Sequence, residues 1–297
     1  MAEQERASTG RPLVTVAMPI YNAGIHLRLA VLSVVAQTFI DWELLIIDDG
    51  STDNAIASIA DISDARIQIR SDGLNKGLAA RLNQAIDLAR GAYLVRMDQD
   101  DVCHPERFAR QLSFMEENPE VDLVGARCVT VSESGELLGC LPWSSQAGQL
   151  TAKPWLGLDV PHPTWFGRLE WFRRHRYASP GPYCCEDQEL LLRTYASSEF
   201  YIIPSFLLAY RLRDRPLLRK AFHTRKTLLG VQARHFFAHG QYGFLLLATC
   251  AFLGRLLKDL VVLVGITTPV RDIRSAGKLG TEDRHFWKNW VNGLASR

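Results

Sequence analysis

The first third of the chain contains three short apolar runs, and each of them ends in a cluster of polar residues. Between the runs lie segments whose apolar residues recur at helical spacing. This alternation of strands and helices predicts a parallel β-sheet with helices on both faces. The carboxyl ends of parallel strands meet at one edge of the sheet, where ligands bind in such folds. The clusters predicted at this edge are Pro19-Ile20-Tyr21-Asn22, Asp48-Asp49-Gly50-Ser51 and Asp98-Gln99-Asp100-Asp101.

Two of these clusters together contain five aspartates. Aspartate and glycine often follow strands because they suit turns, and this explains one such cluster. It explains two clusters poorly, since like charges grouped at one sheet edge repel each other. We therefore expect these aspartates to bind a ligand or a cation.

Asp98 and Asp100 form an Asp-x-Asp motif directly after a predicted strand. Carboxylates spaced in this way can present oxygens to one hard cation, Mg²⁺ or Mn²⁺, which takes its remaining ligands from water and substrate phosphates. Such a cation neutralises the charge that builds on a departing phosphate. The motif alone occurs by chance in many proteins, but its position beside Asp48 and Asp49 favours a metal site.

Asp48 and Asp49 close the second predicted strand. A carboxylate at this position can accept hydrogen bonds from a base N–H or a ribose hydroxyl, as acidic residues do in dinucleotide-binding folds. The alternative is a helix cap combined with a turn. The pattern favours ligand binding over this alternative.

The composition, with 47% apolar and 22% charged residues, is that of a globular protein and excludes a disordered chain. The six cysteines include no C-x-x-C pair, so a zinc ribbon or a redox motif is not expected. Residues 1–11 are polar and are expected to be disordered. They have no apolar signal-peptide core, which predicts a cytoplasmic protein.

The chain has an acidic front and a basic back. Residues 1–150 contain 12 Lys/Arg and 21 Asp/Glu, a net charge of −9, whereas residues 151–297 contain 22 and 11, a net charge of +11. A basic half of this kind could face nucleic acid, an anionic membrane or phosphorylated ligands.

Beyond Pro204 the chain has an almost wholly helical pattern, and residues 211–297 are predicted to form a basic helical tail. A membrane-spanning helix needs about 20 apolar residues with few charges. Residues 235–254 lack formal charge but contain two histidines and three glycines, so this segment is a poor candidate for a span.

Arg255, Lys258 and Asp259 lie at helical spacing within an apolar sequence. This pattern predicts an amphipathic helix in a membrane interface, with these charges on its polar face. Nearby basic residues would add attraction to anionic lipid, so we expect peripheral association with the inner face of the plasma membrane. A helical cap on the catalytic domain and a dimer interface remain as alternatives.

Together, the segments of the front part resemble the inverting glycosyltransferase family 2, whose members have the GT-A fold. The resemblance covers residues 13–195, and its pieces occur in the order found in the family. These pieces are V-A-M-P-I-Y-N at 16–22, L-I-I-D-D-G-S-T-D at 45–53, N-K-G-L-A-A at 75–80 with Asn83, R-M-D-Q-D-D at 96–101 with P-E-R-F at 105–108, and Glu186-Asp187 before Leu190 and Arg193.

The resemblance implies a Rossmann-like α/β catalytic domain of GT-A type at residues 12–210, followed in this chain by a helical C-terminal extension. Within that domain it implies a donor half at residues 12–135 and an acceptor half at residues 136–210. It also implies transfer of a sugar from a nucleoside-diphosphate sugar, most often a UDP-sugar, to a hydroxyl acceptor. With the tail, it suggests a polysaccharide or lipid-linked glycan precursor as that acceptor.

The resemblance further implies roles for individual residues. Asp49 would contact the base, most often uracil. Asp98 would approach the ribose or the donor, and Asp100 would ligate the metal. The residues implied to line the nucleotide pocket are Pro19, Tyr21 and Asn22.

The family has an adjacent Glu-Asp pair, and Asp187 matches its second acid. The resemblance implies that Asp187 is the general base. Such a base removes the proton of the acceptor hydroxyl while its oxygen attacks the anomeric carbon from behind. Glu186, His162 and Arg168 are predicted to lie on the acceptor side. The alternative for the acid pair is an acidic first helical turn, which the helix dipole favours.

Arg81 lies in a helix predicted from 78 to 89. The family often carries an arginine one place later, where this chain has Leu82. We therefore expect Arg81 to occupy a solvated helix position rather than to contact the phosphates.

Three other functions compete with sugar transfer. A nucleotidyltransferase usually has a Gly-rich loop with Arg or Lys after the first strand, which this chain lacks. A non-catalytic nucleotide-sugar-binding protein can share the fold, although the intact Asp98, Asp100 and Asp187 argue against it. Nucleic-acid binding by the basic half is not expected, because no recognised module is present.

Overall fold

The structure is a computed structural model of the chain. It describes residues 10–142, 150–182, 184–212, 218–263, 275 and 277–296. The N-terminal disorder expected from the sequence falls on residues 1–9, which lie outside the described residues. Residues 213–217 of the predicted basic tail also lie outside them.

Nine strands in the described part of the chain form one sheet. They are β1 (Val14–Ile20), β2 (Trp42–Asp48), β3 (Ile67–Ser71), β4 (Tyr93–Arg96), β5 (Val102–Cys103), β6 (Leu123–Val131), β7 (Leu137–Cys140), β8 (Phe166–Arg168) and β9 (Phe200–Arg211). Their order is β3-β2-β1-β4-β8-β6-β9-β5, and β7 pairs with β6. The first four strands in this order are parallel, β8 is antiparallel to both of its neighbours, and β6 is parallel to β9.

Helices cover both faces of this sheet. They are α1 (His26–Val35), α2 (Leu78–Leu88), α3 (Arg107–Glu117), α4 (Leu169–His175), α5 (Glu186–Thr194), α6 (Leu218–Ala238), α7 (Tyr242–Leu263) and α8 (Thr281–Ala295). Val16 of β1 packs in the core cluster that contains α1 and α3, whereas the next residue, Ala17, packs in the cluster that contains α2, α4 and α5. Alternate residues of a strand point to opposite faces, so a strand that is apolar at every position is buried on both sides.

Helix α8 returns from the C-terminal region to pack against the sheet. Its Trp287 and Val291 pack with Val102, Val129 and Ala209 in a third core cluster formed on β5, β6 and β9. The C-terminal extension is therefore helical, as predicted, and part of it completes the core of the sheet.

The expectation of an almost wholly helical chain beyond Pro204 is wrong for the first part of that segment. Strand β9 runs through Pro204 to Arg211 and pairs with β6. Proline lacks an N–H for the ladder, and the register of the β6–β9 pair shifts at this point: Ala126 pairs with Ile203, and Arg127 pairs with Phe206. The irregularity accommodates proline inside a long strand.

Helices α6 and α7 form a helical hairpin. Its turn contains Gly240, whose φ of 67° lies in the left-handed region that glycine adopts readily. Arg225 of α6 pairs with Asp259 of α7, which fixes the two helices antiparallel to each other. Among the described residues, no helix combines the length and apolar character needed to cross a bilayer.

Candidate functional site

The loops that follow β1 and β4 are fastened to each other at the carboxyl edge of the sheet. The side chain of Gln99 accepts a hydrogen bond from the Tyr21 N–H at 2.6 Å and donates one to the Tyr21 carbonyl at 3.1 Å. Tyr21 itself is 48% exposed, so its ring is available at this edge. Gln99 thus fixes the middle of the Asp-x-Asp motif against the predicted nucleotide pocket.

The loop after β1 is also fastened to the loop after β2. Asn22 adopts a φ of 47°, its N–H donates to Ser51 Oγ at 3.0 Å, and its side-chain oxygen accepts from the Thr52 N–H at 2.8 Å. Pro19 is buried within β1 and lies opposite Ile47 of β2. Asn22 therefore shapes the edge through its hydrogen bonds, and Pro19 belongs to the floor beneath it.

Asp49 is buried and accepts hydrogen bonds from three donors. These are the N–H of Lys76 at 2.6 Å, the N–H of Gly77 at 3.0 Å and Nε of Arg81 at 2.8 Å. Most of these bonds end on Oδ1, whereas Gly77 is the donor to Oδ2. A carboxylate oxygen can accept two hydrogen bonds, so Oδ2 retains capacity for a base N–H.

Arg81 is fully buried, and its expected place on a solvated helix position is wrong. Its guanidinium pairs with Asp49 and with Asp72, at 2.8 and 2.6 Å, and also donates to the side chain of Gln84 and the carbonyl of Leu74. A buried guanidinium is stable only when its donors are satisfied in this way. Arg81 thus holds the segment after β3 against the acids of β2.

Asp48 has a different set of partners from its neighbour. Burial alone would raise the pKa of Asp48, but hydrogen bonds from Ser51 and Ser71 lower it below its ordinary value. Asp48 is therefore ionised at neutral pH and ties the ends of β2 and β3 together.

Asp98 and Asp100 are both partly exposed at the end of β4. Asp98 lies 2.6 Å from the buried guanidinium of Arg96. Burial alone would lower the pKa of Arg96, but the Asp98 carboxylate raises it, so the guanidinium stays charged. Arg96 thus anchors one side of Asp98.

This arrangement fits a divalent cation that is shared with a substrate. In the described part of the chain, no three His, Cys, Asp or Glu side chains are grouped as a complete protein site. Mg²⁺ is commonly held by one or two carboxylates together with substrate phosphates and water. Asp98 and Asp100 supply that number of carboxylates at an accessible edge, and the remaining ligands would come from the donor.

Arg211, the last residue of β9, fixes the other end of the acidic loop. Its N–H donates to Asp101 Oδ1 at 2.9 Å, and its Nε donates to the Asp100 carbonyl at 2.8 Å. Burial raises the pKa of Asp101 well above its ordinary value, and the charges of Asp100 and Asp98 add to this. Asp101 is thus a buried structural acid beneath the two exposed ones.

Glu186 and Asp187 occupy the first turn of α5, where the partial positive charge of a helix N-terminus favours acids. Burial and the neighbouring Asp187 raise the pKa of Glu186 to about 7. Burial also raises the pKa of Asp187, against the opposing effect of hydrogen bonds from Gln188. A carboxylate whose pKa lies closer to neutrality is a stronger base than an exposed aspartate.

His162 lies beside this acid pair. Its Nδ1 is 3.8 Å from Glu186, and its Nε2 is 2.8 Å from the hydroxyl of Tyr177. Burial lowers the pKa of His162 well below its ordinary value, so the ring is neutral. The charge of Arg96 acts on Glu186 as well as on Asp98, and Arg96 therefore connects the two acidic groups electrostatically.

Arg168 is not brought to this group. It lies opposite Tyr93, at the amino end of β4, and therefore at the other end of the strand from Asp98. Its guanidinium donates to the carbonyls of Val121 and Met115. Arg168 therefore fastens the chain before β6, away from the acid pair of α5.

Four residues of the site were not assigned roles from the sequence: Arg96, Gln99, Tyr177 and Arg211. Three of them act through partners that are distant in the sequence, such as Asp101, which lies 110 positions before Arg211. Arg96 is the exception, since it belongs to the quoted motif and stands two places before Asp98. The sequence offers one signal for Arg96: it is a charged residue in an otherwise apolar strand, which indicates a buried partner.

Comparison with known proteins gives matches over most of this chain. A family model described as glycosyl transferase family 2 matches residues 15–176. The putative glycosyltransferase EpsE of Bacillus subtilis is 36% identical over 128 residues, which are 42% of this chain and 46% of that protein. The chain spans less than half the length of this relative.

A second relative has a more specific name. It is the UDP-Glc:alpha-D-GlcNAc-diphosphoundecaprenol beta-1,3-glucosyltransferase WfgD of Escherichia coli. It is 36% identical over 106 residues, which are 36% of this chain and 42% of that protein. Here too the matched part is less than half of the relative.

Solved structures share the fold. S. aureus TarS 1–349 in complex with UDP-GlcNAc superposes with a TM-score of 0.65 over 95% of this chain and 80% of that chain, at 16% identity. The mannosyltransferase PcManGT of Pyrobaculum calidifontis, in complex with GDP-Man and Mn²⁺, gives 0.61 over 97% and 87%, at 15% identity. The predicted fold class, an α/β GT-A domain with a helical extension, is confirmed.

Proposed function

This chain belongs to glycosyl transferase family 2, and we propose that it moves a sugar from a UDP-sugar to a hydroxyl acceptor with inversion. The membership confirms the resemblance stated from the sequence. It also removes the reason to prefer a nucleotidyltransferase or a non-catalytic binding protein on the same fold.

The observation that carries the proposal is the grouping of acids around Arg96. Its guanidinium contacts Asp98 and acts electrostatically on Glu186, which adjoins Asp187. The acid after β4 and the acid pair of α5 thus lie within the electrostatic influence of one buried cation, and the acids of β2 are fastened to the same edge through the loop after β1. A donor bound at that edge would place its reacting carbon between a diphosphate-binding group and a base.

The proposed reaction is a single displacement. The acceptor oxygen forms a bond to the anomeric carbon while the bond from that carbon to the diphosphate oxygen breaks. Asp187 takes the acceptor's proton, and the bonding electron pair leaves with the diphosphate. Attack from the face opposite the leaving group inverts the anomeric configuration.

Asp98 and Asp100 would hold the divalent cation, Mg²⁺ or Mn²⁺. When bound, this cation neutralises negative charge on the departing diphosphate. The residues of the chain have separate tasks in the proposal: Arg96 orients Asp98, and Gln99 holds the loop between the two carboxylates.

Uridine is proposed as the nucleoside because of the relatives. WfgD is named as a UDP-Glc-dependent enzyme, and TarS is solved with UDP-GlcNAc and with UDP. The free capacity of Asp49 Oδ2 suits the N–H of uracil. Tyr21, exposed beside it, offers an aromatic face to the base.

The acceptor is proposed to be a polysaccharide or lipid-linked glycan precursor. WfgD is named for an acceptor linked to diphosphoundecaprenol, which is a membrane lipid. His162 and Glu186 would contact the acceptor on the Asp187 side of the site. An enzyme that uses such an acceptor works at a membrane surface, so we propose peripheral association with the cytoplasmic face of a membrane.

Ligand-induced stabilisation tests the donor assignment. UDP at about 100 times its dissociation constant should stabilise the protein by about 2.7 kcal/mol in the presence of Mn²⁺. The stabilisation should shrink with EDTA and in Asp100→Asn, whose metal affinity is lowered. Thermal unfolding with UDP, GDP and ADP measures the effect, and absence of stabilisation by every nucleoside diphosphate with Mn²⁺ would contradict the proposal.

A further inference from the structure

Helix α7 turns its charged side toward the protein and its apolar side outward, which is the reverse of the usual surface helix. A helix on a soluble protein normally turns its charges outward and its apolar face toward the core. In α7 the guanidinium of Arg255 donates inward to the Leu156 carbonyl at 2.6 Å, and Asp259 is paired with Arg225 of α6. This corrects the expectation that Arg255 and Asp259 form an outward polar face.

The outward face of α7 is apolar instead. Leu246, Leu253, Leu257 and Leu260 are 65%, 57%, 64% and 55% exposed. They lie along one side of the helix together with the exposed Cys250, and Lys258 is the charged residue among the exposed positions of this helix. An exposed apolar face of this length on a soluble domain marks an interaction surface.

Aromatic residues lie at one end of this face, and the neighbouring helix α6 carries exposed cations. Phe237 and Tyr242, 66% and 61% exposed, contact each other at the hairpin turn with ring centroids 5.9 Å apart. Lys226 and Arg234 are exposed on α6. Exposed aromatic rings next to an apolar stripe and basic residues are the composition of a helix that lies in a membrane interface.

We propose that this face, the exposed apolar side of α7 together with Lys226, Arg234 and Lys258, docks on an anionic lipid bilayer. The proposal rests on the proposed function and names the surface that brings the enzyme to a lipid-linked acceptor. Charge selects lipid as the occupant. Helix α6 contains no Asp or Glu, and the one acid of α7, Asp259, is already paired.

A second copy of the chain suits this surface less well. The leucine spacing of α7 resembles a short coiled-coil seam, but such seams are flanked by charges of opposite sign. A two-fold dimer through α7 would bring two sets of cations together without acids to pair them. Anionic headgroups supply the missing negative charge along the whole face, at about 1 kcal/mol per basic residue near the surface.

The hairpin is fastened to the segment that carries the predicted base. Cys185 donates through its thiol to the Thr224 carbonyl of α6 at 3.5 Å, and Gln232 donates to the Pro154 carbonyl at 3.0 Å. Cys185 directly precedes Glu186 and Asp187. Docking through α7 would therefore fix the acid pair relative to the lipid surface.

Vesicle co-sedimentation tests the surface. We expect the full chain to bind phosphatidylcholine vesicles that contain phosphatidylglycerol, and to bind pure phosphatidylcholine vesicles much more weakly. Leu257→Glu should weaken partitioning about tenfold or more, because a leucine that would enter the lipid is replaced by a charge that anionic lipid repels. Ile40→Glu is the matched control, since Ile40 is 75% exposed in a loop of the catalytic domain, and it should bind as the wild type does.

A second variant tests the charges without altering the leucines. Removal of two cations in Lys226→Ala/Arg234→Ala should weaken binding about fivefold per charge at low salt, and should reduce the salt dependence. The variants should keep the wild-type melting temperature and the stabilisation by UDP with Mn²⁺. This separates loss of docking from loss of the proposed donor site.

Three results would overturn the docking proposal. One is wild-type protein that remains in the supernatant with anionic vesicles at low salt. Another is equal loss of binding by Ile40→Glu and Leu257→Glu. The third is a wild-type dimer, seen by sedimentation velocity, that Leu257→Glu converts to a monomer while neither protein binds vesicles, since this would assign the face to a second copy.

Discussion

The acids at the end of β2 and the acids at the start of α5 have opposite surroundings. Asp48 and Asp49 are surrounded by donors, and hydrogen bonds keep the pKa of Asp48 below its ordinary value. Glu186 and Asp187 are desolvated with few donors, and the pKa of each is raised. The two regions show how one fold keeps some carboxylates fixed and makes others basic.

The difference follows from what each group must do in the proposed reaction. A carboxylate that orients a ligand has to keep its charge and its position, and bound donors provide both. A base has to gain a proton during the reaction, so donors that hold its charge would oppose it. The distribution of donors therefore separates the proposed binding acids from the proposed base.

Asp187→Asn gives the sharpest test of this separation. The amide cannot accept the acceptor's proton, so we expect sugar transfer to fall about 10²–10⁴-fold. Stabilisation by UDP with Mn²⁺ should persist, because the donor acids are untouched. Initial rates of transfer and thermal unfolding measure the two effects, and wild-type turnover by this variant would reject Asp187 as the base.

Arg81→Leu tests the donor side of the comparison. It leaves Asp49 and Asp72 without their buried counter-ion, so we expect a loss of about 3–5 kcal/mol in the free energy of unfolding. The matched control is Arg28→Leu, which breaks a solvent-screened pair with Asp61 and should change the free energy of unfolding far less. Urea denaturation measures both, and equal small losses would show that Arg81 does not hold the donor edge together.

The ends of the strands could be predicted from the sequence because their signals are local. An apolar run followed by Asp48 or Asp98 specifies a buried strand and its polar end within a few residues. The same argument predicted a sheet edge with grouped acids.

The partners of these acids could not be predicted in the same way. The run Phe206-Leu207-Leu208-Ala209 is apolar at every position, and such a run suits a strand as well as a buried helix. Without β9, nothing places Arg211 beside Asp101. Arg81 likewise lies on an amphipathic helix, where its burial depends on Asp72 in a separate loop.

The outward face of α7 depends on packing as well. The positions of Arg255 and Asp259 in the sequence predict an amphipathic helix, but not which side contacts the protein. That side is decided by two contacts: Arg225 donates to Asp259, and the Leu156 carbonyl accepts from Arg255. The periodicity of the sequence thus predicts a polar face, and the tertiary contacts turn that face toward the protein.

Glu186→Gln should produce the smallest and most specific change. The pKa of Glu186 is raised to about 7 by burial and by the charge of Asp187. The charge that helps to raise the pKa of Glu186 is that of an already ionised Asp187, so Asp187 loses its proton while Glu186 still holds its own. Glu186→Gln should therefore leave the acid limb of the pH–rate profile, which Asp187 sets, where it is in the wild type, with little change in the maximal rate. A limb moved to lower pH would show that Glu186 ionises first.

The same substitution should also change how the free energy of unfolding depends on pH. Unfolded Glu186 releases its proton near its ordinary pKa of 4.5, whereas the folded group holds it until about 7. The folded state therefore binds more protons between these values, and wild-type stability contributed by this group falls as pH rises through them. Glu186→Gln should lack that fall in urea denaturation, and a parallel decline in both proteins would show that Glu186 titrates as an ordinary exposed acid.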